Sequence, residues 1–184
     1  MKIKLLLLFV LLSTSTLAQK VQKNYWKDEI PRKPKGIWEF YDAKGELEQT
    51  YDFTGDSLVY QKQVKKSETF KHQVITGSDT ILTKLDSFPI LIGGPATVGK
   101  TFREYLKYPP EAREYRIQGT VWISFLIDDQ GKASNYKITK GIGGGCDEMA
   151  LSTVKSIPDR WIPGMLNGKK VNVIHTIPVL FRLQ

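Results

Sequence analysis

Eight consecutive residues, Gly94-Pro95-Ala96-Thr97-Val98-Gly99-Lys100-Thr101, satisfy the phosphate-loop pattern G-x-x-x-x-G-K-[ST] at every position. In a nucleotide hydrolase such a loop turns backbone N–H groups onto the phosphates, and its lysine reaches the β and γ oxygens. Downstream, Ile123 to Asp128 is an apolar run ending in an aspartate, the arrangement that would hold Mg²⁺. A P-loop nucleotide hydrolase is therefore the one concrete enzymatic reading.

Three arguments oppose it. The pattern fixes only four residues, so chance matches occur. The phosphate-loop fold needs parallel strands joined by crossovers of a dozen or more residues. Here the aspartate strand runs directly into a hairpin turn, Asp128-Asp129-Gln130-Gly131, which demands antiparallel pairing. The chain also begins with an export signal, which sends it away from the ATP supply. The plainer expectation is a Gly-rich loop capping a helix, with Lys100 solvated.

The other reactive residue types offer less. Cys146 is the sole cysteine, and neither histidine stands in a partner motif for it, so a small packed residue near a helix start is expected rather than a nucleophile. His175 has no second ligand at metal spacing and reads as a packed or rim histidine. No catalytic residue, metal or cofactor is expected.

The elements around these residues start with the export signal. Lys2 and Lys4 precede the apolar run Leu5 to Leu12, and small residues stand at Thr16 and Ala18, which predicts cleavage before Gln19. The run is short of the roughly 20 residues that span a bilayer. Retention as an inner-membrane anchor facing the periplasm is the alternative. The formal charge of +8 falls to about +6 once both lysines leave. Such an excess suits anionic surfaces such as lipid headgroups or glycans. The basic residues are scattered, and no nucleic-acid partner is expected.

After the signal, residues 1–18, the polar segment 19–35 with Pro31 and Pro34 reads as a linker. Residues 36–88 read as a β-hairpin region. Runs at Ile37 to Tyr41, Leu47 to Phe53 and Leu58 to Val64 are separated by turn signals at Asp42 to Gly45 and Thr54-Gly55-Asp56. The pair W-x-F-Y-D-x-x-G-x-L and Y-x-F-x-G-D-x-L resembles MORN-type hairpins. Residues 89–184 form the third unit. Phe102 to Leu106 reads as a helix, and Pro110 suits the first turn of another. Thr120 to Ile127 is a strand with Val121, Ile123, Phe125 and Ile127 on one face. Ala133 to Lys140 returns beside it. Cys146 to about Ser156 is a helix, and Lys170 to Leu183 alternates as a last strand. The prediction is an α+β sandwich of two helices on a three-stranded antiparallel sheet, preceded by the hairpin region.

From Tyr108 onward, separated motifs stand in a fixed order. They are Tyr108-Pro109-x-x-Ala112, Ile117-Gln118-Gly119-Thr120-Val121, Phe125-x-Ile127-Asp128-x-x-Gly131-Lys132, Gly144-Gly145-Cys146-Asp147-Glu148-x-Ala150-Leu151, Trp161-x-Pro163-Gly164, Asn167-Gly168-Lys169 and Ile177-Pro178-Val179-x-Phe181. This segment resembles the TonB C-terminal domain, in the form common in Bacteroidetes. Each motif also has a physical role. Tyr108-Pro109 sets an extended lead-in to a helix. Gly119 permits close helix–strand packing, and Trp161 is an apolar plug. Pro163-Gly164 and Asn167-Gly168 turn the chain into the last strand.

The resemblance implies docking by strand addition, in which a short peptide at the front of an outer-membrane TonB-dependent receptor pairs with the last strand. It implies an edge at Val171, Asn172, Val173, Ile174, His175, Thr176 and Ile177. Pro178 agrees with an edge position, because proline cannot donate to a ladder; protection of that edge against aggregation is its other role. An open edge also makes a strand-paired homodimer plausible. The chain lacks the long Pro-rich spacer of an energy-transducing TonB. The reading is thus a periplasmic module, with a structural or adaptor protein of the envelope as the alternative.

Overall fold

The structure is a computed structural model describing residues 22–25, 34–42, 44–62 and 71–183. The expected signal, residues 1–18, and much of the expected linker lie outside them.

The first strands are β1 (Gln22–Tyr25), β2 (Ile37–Tyr41), β3 (Leu47–Asp52) and β4 (Ser57–Gln61). They form a sheet in chain order, with β1 parallel to β2 and the other pairs antiparallel. β2 to β4 fall where the aromatic runs place them. Aspartates build the turns between them. The Asp42 carboxylate accepts the N–H groups of Lys44 and Glu46, each at 2.8 Å, and Asp52 accepts that of Thr54 at 2.8 Å. Gln22–Tyr25, assigned from sequence to a linker, instead covers the flank of β2. Unpaired backbone groups on a sheet edge can be satisfied by a polar segment with no hydrophobic period of its own.

The remaining elements are β5 (His72–Thr76), β6 (Asp79–Thr83), β7 (Ile90–Leu91), α1 (Gly94–Tyr105), α2 (Pro110–Glu114), β8 (Gly119–Ile127), β9 (Ala133–Lys140), α3 (Cys146–Lys155), β10 (Trp161–Ile162), β11 (Gly164–Leu166) and β12 (Lys169–Phe181). The fold is α+β. The main sheet runs β6-β5-β12-β8-β9, with β11 also on β12 and every pairing antiparallel.

That sheet exceeds the three strands expected, and the short helix expected at Pro110, α2, stands beside the two sandwich helices α1 and α3. The extra strands come from the β5–β6 hairpin, which the sequence groups with the preceding hairpins. Val74 of β5 is fully buried opposite Val173 of β12, in a small cluster with Leu85. The apolar pieces Val74-Ile75 and Ile81-Leu82 are too brief to show whose core they join.

The central cluster matches the predicted faces. Val121, Ile123, Phe125 and Ile127 of β8 are buried against Cys146, Ala150 and Val154 of α3 and against Ile177, Val179 and Phe181 of β12. Burying each such large apolar side chain contributes about 1.5–3 kcal/mol. Two-residue turns complete the frame. Asn167 and Gly168 both take positive φ, 51° and 70°, as a tight hairpin between β11 and β12 requires.

The first sheet packs on this domain through Phe40, Tyr51 and Ile92, with Trp38, Phe53 and Ile162 around them.

Candidate functional site: the free flank of the last strand

The phosphate-loop residues form no loop. Helix α1 starts at Gly94, so Gly99, Lys100 and Thr101 lie on helical backbone. Gly93 precedes it at φ 91°, and Pro95 sits in the first turn, where a missing N–H is harmless. This corrects both the capping loop expected over 94–101 and the helix expected only from Phe102. The Thr101 hydroxyl donates to the Thr97 carbonyl at 3.0 Å, turned to its own helix. Asp128 builds the β8–β9 turn, accepting the N–H groups of Gln130 at 2.9 Å and Lys132 at 2.8 Å. The motif thus has no cradle of free amides.

A carboxylate from the first sheet stands at the start of α1 instead. Glu48 of β3 accepts the Ala96 N–H, one of the donors a helix leaves unsatisfied. Its neighbour Gln49 is buried, accepts the Gly93 N–H at 2.6 Å and donates to the Leu91 carbonyl at 3.2 Å. Together they fasten the first sheet to the domain.

Burial pushes the Glu48 carboxyl above its ordinary value, the Ala96 N–H opposes this, Asp42 adds to it and Lys62 subtracts. An acid raised by folding stabilises the fold while protonated. That contribution disappears as pH rises from the ordinary carboxylate range through the folded value. Glu48→Gln, which keeps an acceptor for Ala96, is therefore expected to melt higher than the parent at about pH 7, the gap closing near about pH 4. A lower melting temperature for Glu48→Gln at neutral pH would show that attraction to the helix terminus outweighs desolvation.

The last strand has two regimes. On one flank β12 pairs with β8 continuously, from Val173↔Ile127 to Phe181↔Gly119. On the other flank β5 covers Asn172, Val173 and Ile174, paired with Ile75, Val74 and Gln73. Val171 pairs with Gly164 of β11. The edge expected over Val171–Ile177 is thus occupied at Val171, Asn172, Val173 and Ile174. From Thr176 and Ile177 to Phe181, no described residue pairs on the second flank. Pro178 lies within this open stretch, opposite Trp122 in the β8 ladder.

Side chains divide by face along the open stretch. Ile177, Val179 and Phe181 are buried, whereas Thr176, Pro178 and Leu180 point outward, Leu180 being 63% exposed. His175 is half-buried, its ring 5.5 Å from that of Phe125 and 5.3 Å from that of Trp161. Sequence reasoning found the strand and its proline. It missed β5 as the partner that shortens the edge, and no local signal marks β5 as such.

Residues 104–183, which span α2 to the end of β12, match the family model for the Gram-negative bacterial TonB protein C-terminal region. This segment is similar to the TonB C-terminal family. The chain is also 31% identical over 101 residues to protein TonB of Vibrio cholerae serotype O1, covering 54% of this chain. It spans 40% of the length of that relative. Among solved structures, it is similar to the TonB C-terminal domain of Helicobacter pylori. The form of residues 194–285 is 22% identical with a TM-score of 0.35, covering 46% of this chain and 88% of the other. The form of residues 179–285 is 19% identical with a TM-score of 0.33, covering 48% and 80%.

Within this TonB-like segment the motif residues build the frame. The Tyr108 hydroxyl donates to the Ile117 carbonyl at 2.5 Å, and its ring meets Phe181 edge-on at 5.7 Å. Pro109 is the extended residue before α2. At Gly119, φ is 151° and a Cβ would lie 3.0 Å from Ile142, so the close approach is to the glycine-rich connection rather than to a helix. At Gly164 a Cβ would lie 2.7 Å from a Val173 methyl, so β11 packs tightly on β12 there; Pro163 leads the chain into that strand. Trp161 pairs with Leu91 and packs its ring on Phe125 at 5.6 Å. The Asp147 carboxylate accepts the N–H groups of Ile142 at 2.8 Å and Gly143 at 3.2 Å, tying down the glycine run before α3. Cys146 is fully buried. Burial, with the charges of Asp147 and Glu148, pushes its thiol up, which disfavours the thiolate that nucleophilic chemistry needs.

Proposed function

We propose that this protein is a docking module of TonB-dependent envelope transport, receiving a partner segment by β-strand addition along the flank of β12 from Thr176 to Phe181, which no described residue covers. The observation that carries this reading is the register. The pairing of β5 ends at Ile174 of β12, while β12 runs on to Phe181, and among the described residues only β8 pairs with it from Thr176 onward. A visiting strand laid there would continue the main sheet. Its backbone would supply affinity, and alternate side chains would meet the outward face of Trp122, Pro178 and Leu180.

The proline sets the polarity of the flank. A proline nitrogen is tolerated where it faces away from an existing ladder. Period two then turns the backbone groups of Thr176 and Leu180 to the same open flank as Pro178. The partner is an outer-membrane TonB-dependent receptor, which places the module in or facing the periplasm.

Converting Thr176 and Leu180 to proline removes two donors from the open flank and leaves the β8 ladder intact. At about 1 kcal/mol per net hydrogen bond, the double variant should bind a receptor-derived peptide about 25-fold more weakly. Isothermal titration reads the affinity, and thermal melting checks the fold. Unchanged affinity in a folded double variant would move the docking site elsewhere. Failure of the parent protein to bind would remove the docking reading itself.

A further inference from the structure

A concavity of about 700 Å³ lies beyond the end of β12, lined by Tyr108, Arg113, Arg116, Gln118, Arg182 and Leu183. Its three guanidinium groups come from α2, from the turn after it and from the residue following β12. Among the described residues no carboxylate lines it. The ion pairs recorded among the described residues join Lys62 to Asp42 and Glu46, and none involves these arginines. Three positive charges thus converge on one solvent-open hollow, and no described residue of its wall carries a counter-charge.

The walls hold the arginines in place. Arg116 adopts φ 51°, a left-handed conformation uncommon for a residue with a Cβ. Its N–H bonds the Arg113 carbonyl at 3.3 Å, and the next N–H, of Ile117, bonds that of Ala112 at 2.8 Å. Gln118 accepts the Leu183 N–H at 2.9 Å, which ties the residue after Arg182 to the lead-in of β8. The Arg113 guanidinium lies 5.9 Å from the centre of the Tyr108 ring. The floor therefore combines an aromatic face with a rim of planar donors.

We propose that this hollow binds a phosphoryl monoester, carried by a small soluble ligand or by a lipid headgroup. Guanidinium forks match phosphate oxygens in pairs. Three of them can serve a tetrahedral group with three terminal oxygens and up to two negative charges. A single carboxylate would leave at least one fork unused. The volume also accommodates more than the phosphoryl group, with Tyr108 and Leu183 available to its carbon skeleton. This site does not depend on strand docking along β12.

The test uses the full exported chain in about 150 mM salt, where loose surface attraction is screened. Glycerol 3-phosphate is titrated in one arm. In the other, vesicles of phosphatidylcholine with or without phosphatidic acid are sedimented with the protein. Saturable binding in the first arm assigns a soluble ligand; binding only to vesicles with phosphatidic acid assigns a headgroup. Arg116→Lys and Arg182→Lys retain charge but lose the fork, and each should weaken binding at least about 5-fold, one net hydrogen bond's worth. All three side chains are exposed, so the melting temperature should not move. Lysine variants that bind like the parent, sulfate that competes equally, or no binding in either arm would overturn the proposal.

Discussion

Replacing Gly131 by alanine is expected to destabilise the protein by about 3 kcal/mol, lowering its melting temperature by about 10 °C. Two costs combine. Gly131 has φ 79°, a conformation unfavourable to a residue with a Cβ. A Cβ there would also lie 1.9 Å from the Trp161 carbonyl oxygen and 3.0 Å from its carbon. Both are backbone atoms, so no side-chain rotation relieves the overlap. The β8–β9 turn or β10 must shift. Gly168→Ala isolates the first cost, since Gly168 has φ 70° but no atom within 4 Å of the added carbon. It should cost about 1 kcal/mol. Thermal melts of the two variants measure the difference, and equal shifts would show that the close approach to Trp161 contributes nothing. Trp161 stands against His175, at the start of the open flank. Gly131→Ala should therefore also disturb that flank, whereas Gly168→Ala should not.

Gln49→Ala is expected to cost about 3 kcal/mol and to loosen the first sheet from the C-terminal domain. The Gln49 side chain is fully buried. Besides its bonds to Gly93 and Leu91, its amide donates to the Gln61 side chain at 2.9 Å. Truncation leaves the buried Gly93 N–H without its acceptor, and an unmatched buried polar group costs about 1–3 kcal/mol. The remainder is lost packing and the other two bonds. Leucine should not rescue, since it restores volume without an acceptor. Chemical denaturation gives the stability change, and limited proteolysis should release the segment from residue 71 onward earlier than in the parent. A change below about 0.5 kcal/mol, the range of ordinary surface substitutions, would mean that apolar contacts around Ile92 hold the sheet alone. This joint bears on docking, because β7 and the start of α1 hang from it.

Certain features were legible in the residues themselves. The alternation Val121, Ile123, Phe125, Ile127 and that of Ile177, Val179, Phe181 defined two strands and their buried faces, because a period of two needs no partner to be read. Asp128 to Gly131 and Asn167-Gly168 defined turns, because their chemistry is local. The motif series from Tyr108 to Phe181 carried the family, since those residues are the close contacts of its frame. Other features belonged to the tertiary structure alone. The phosphate-loop pattern became a helix because Pro95 and the partners of Gly93 and Ala96 set where α1 begins, and those partners, Gln49 and Glu48, lie in β3, more than forty residues away. The arginine hollow unites residues 113, 116 and 182, which no spacing relates. The length of the open edge was decided by β5, which covers β12 as far as Ile174 and no further. Strand pairing joins backbone to backbone, and every residue but proline offers the same groups; the chain therefore encodes where its strands are far more plainly than which of their flanks are left open.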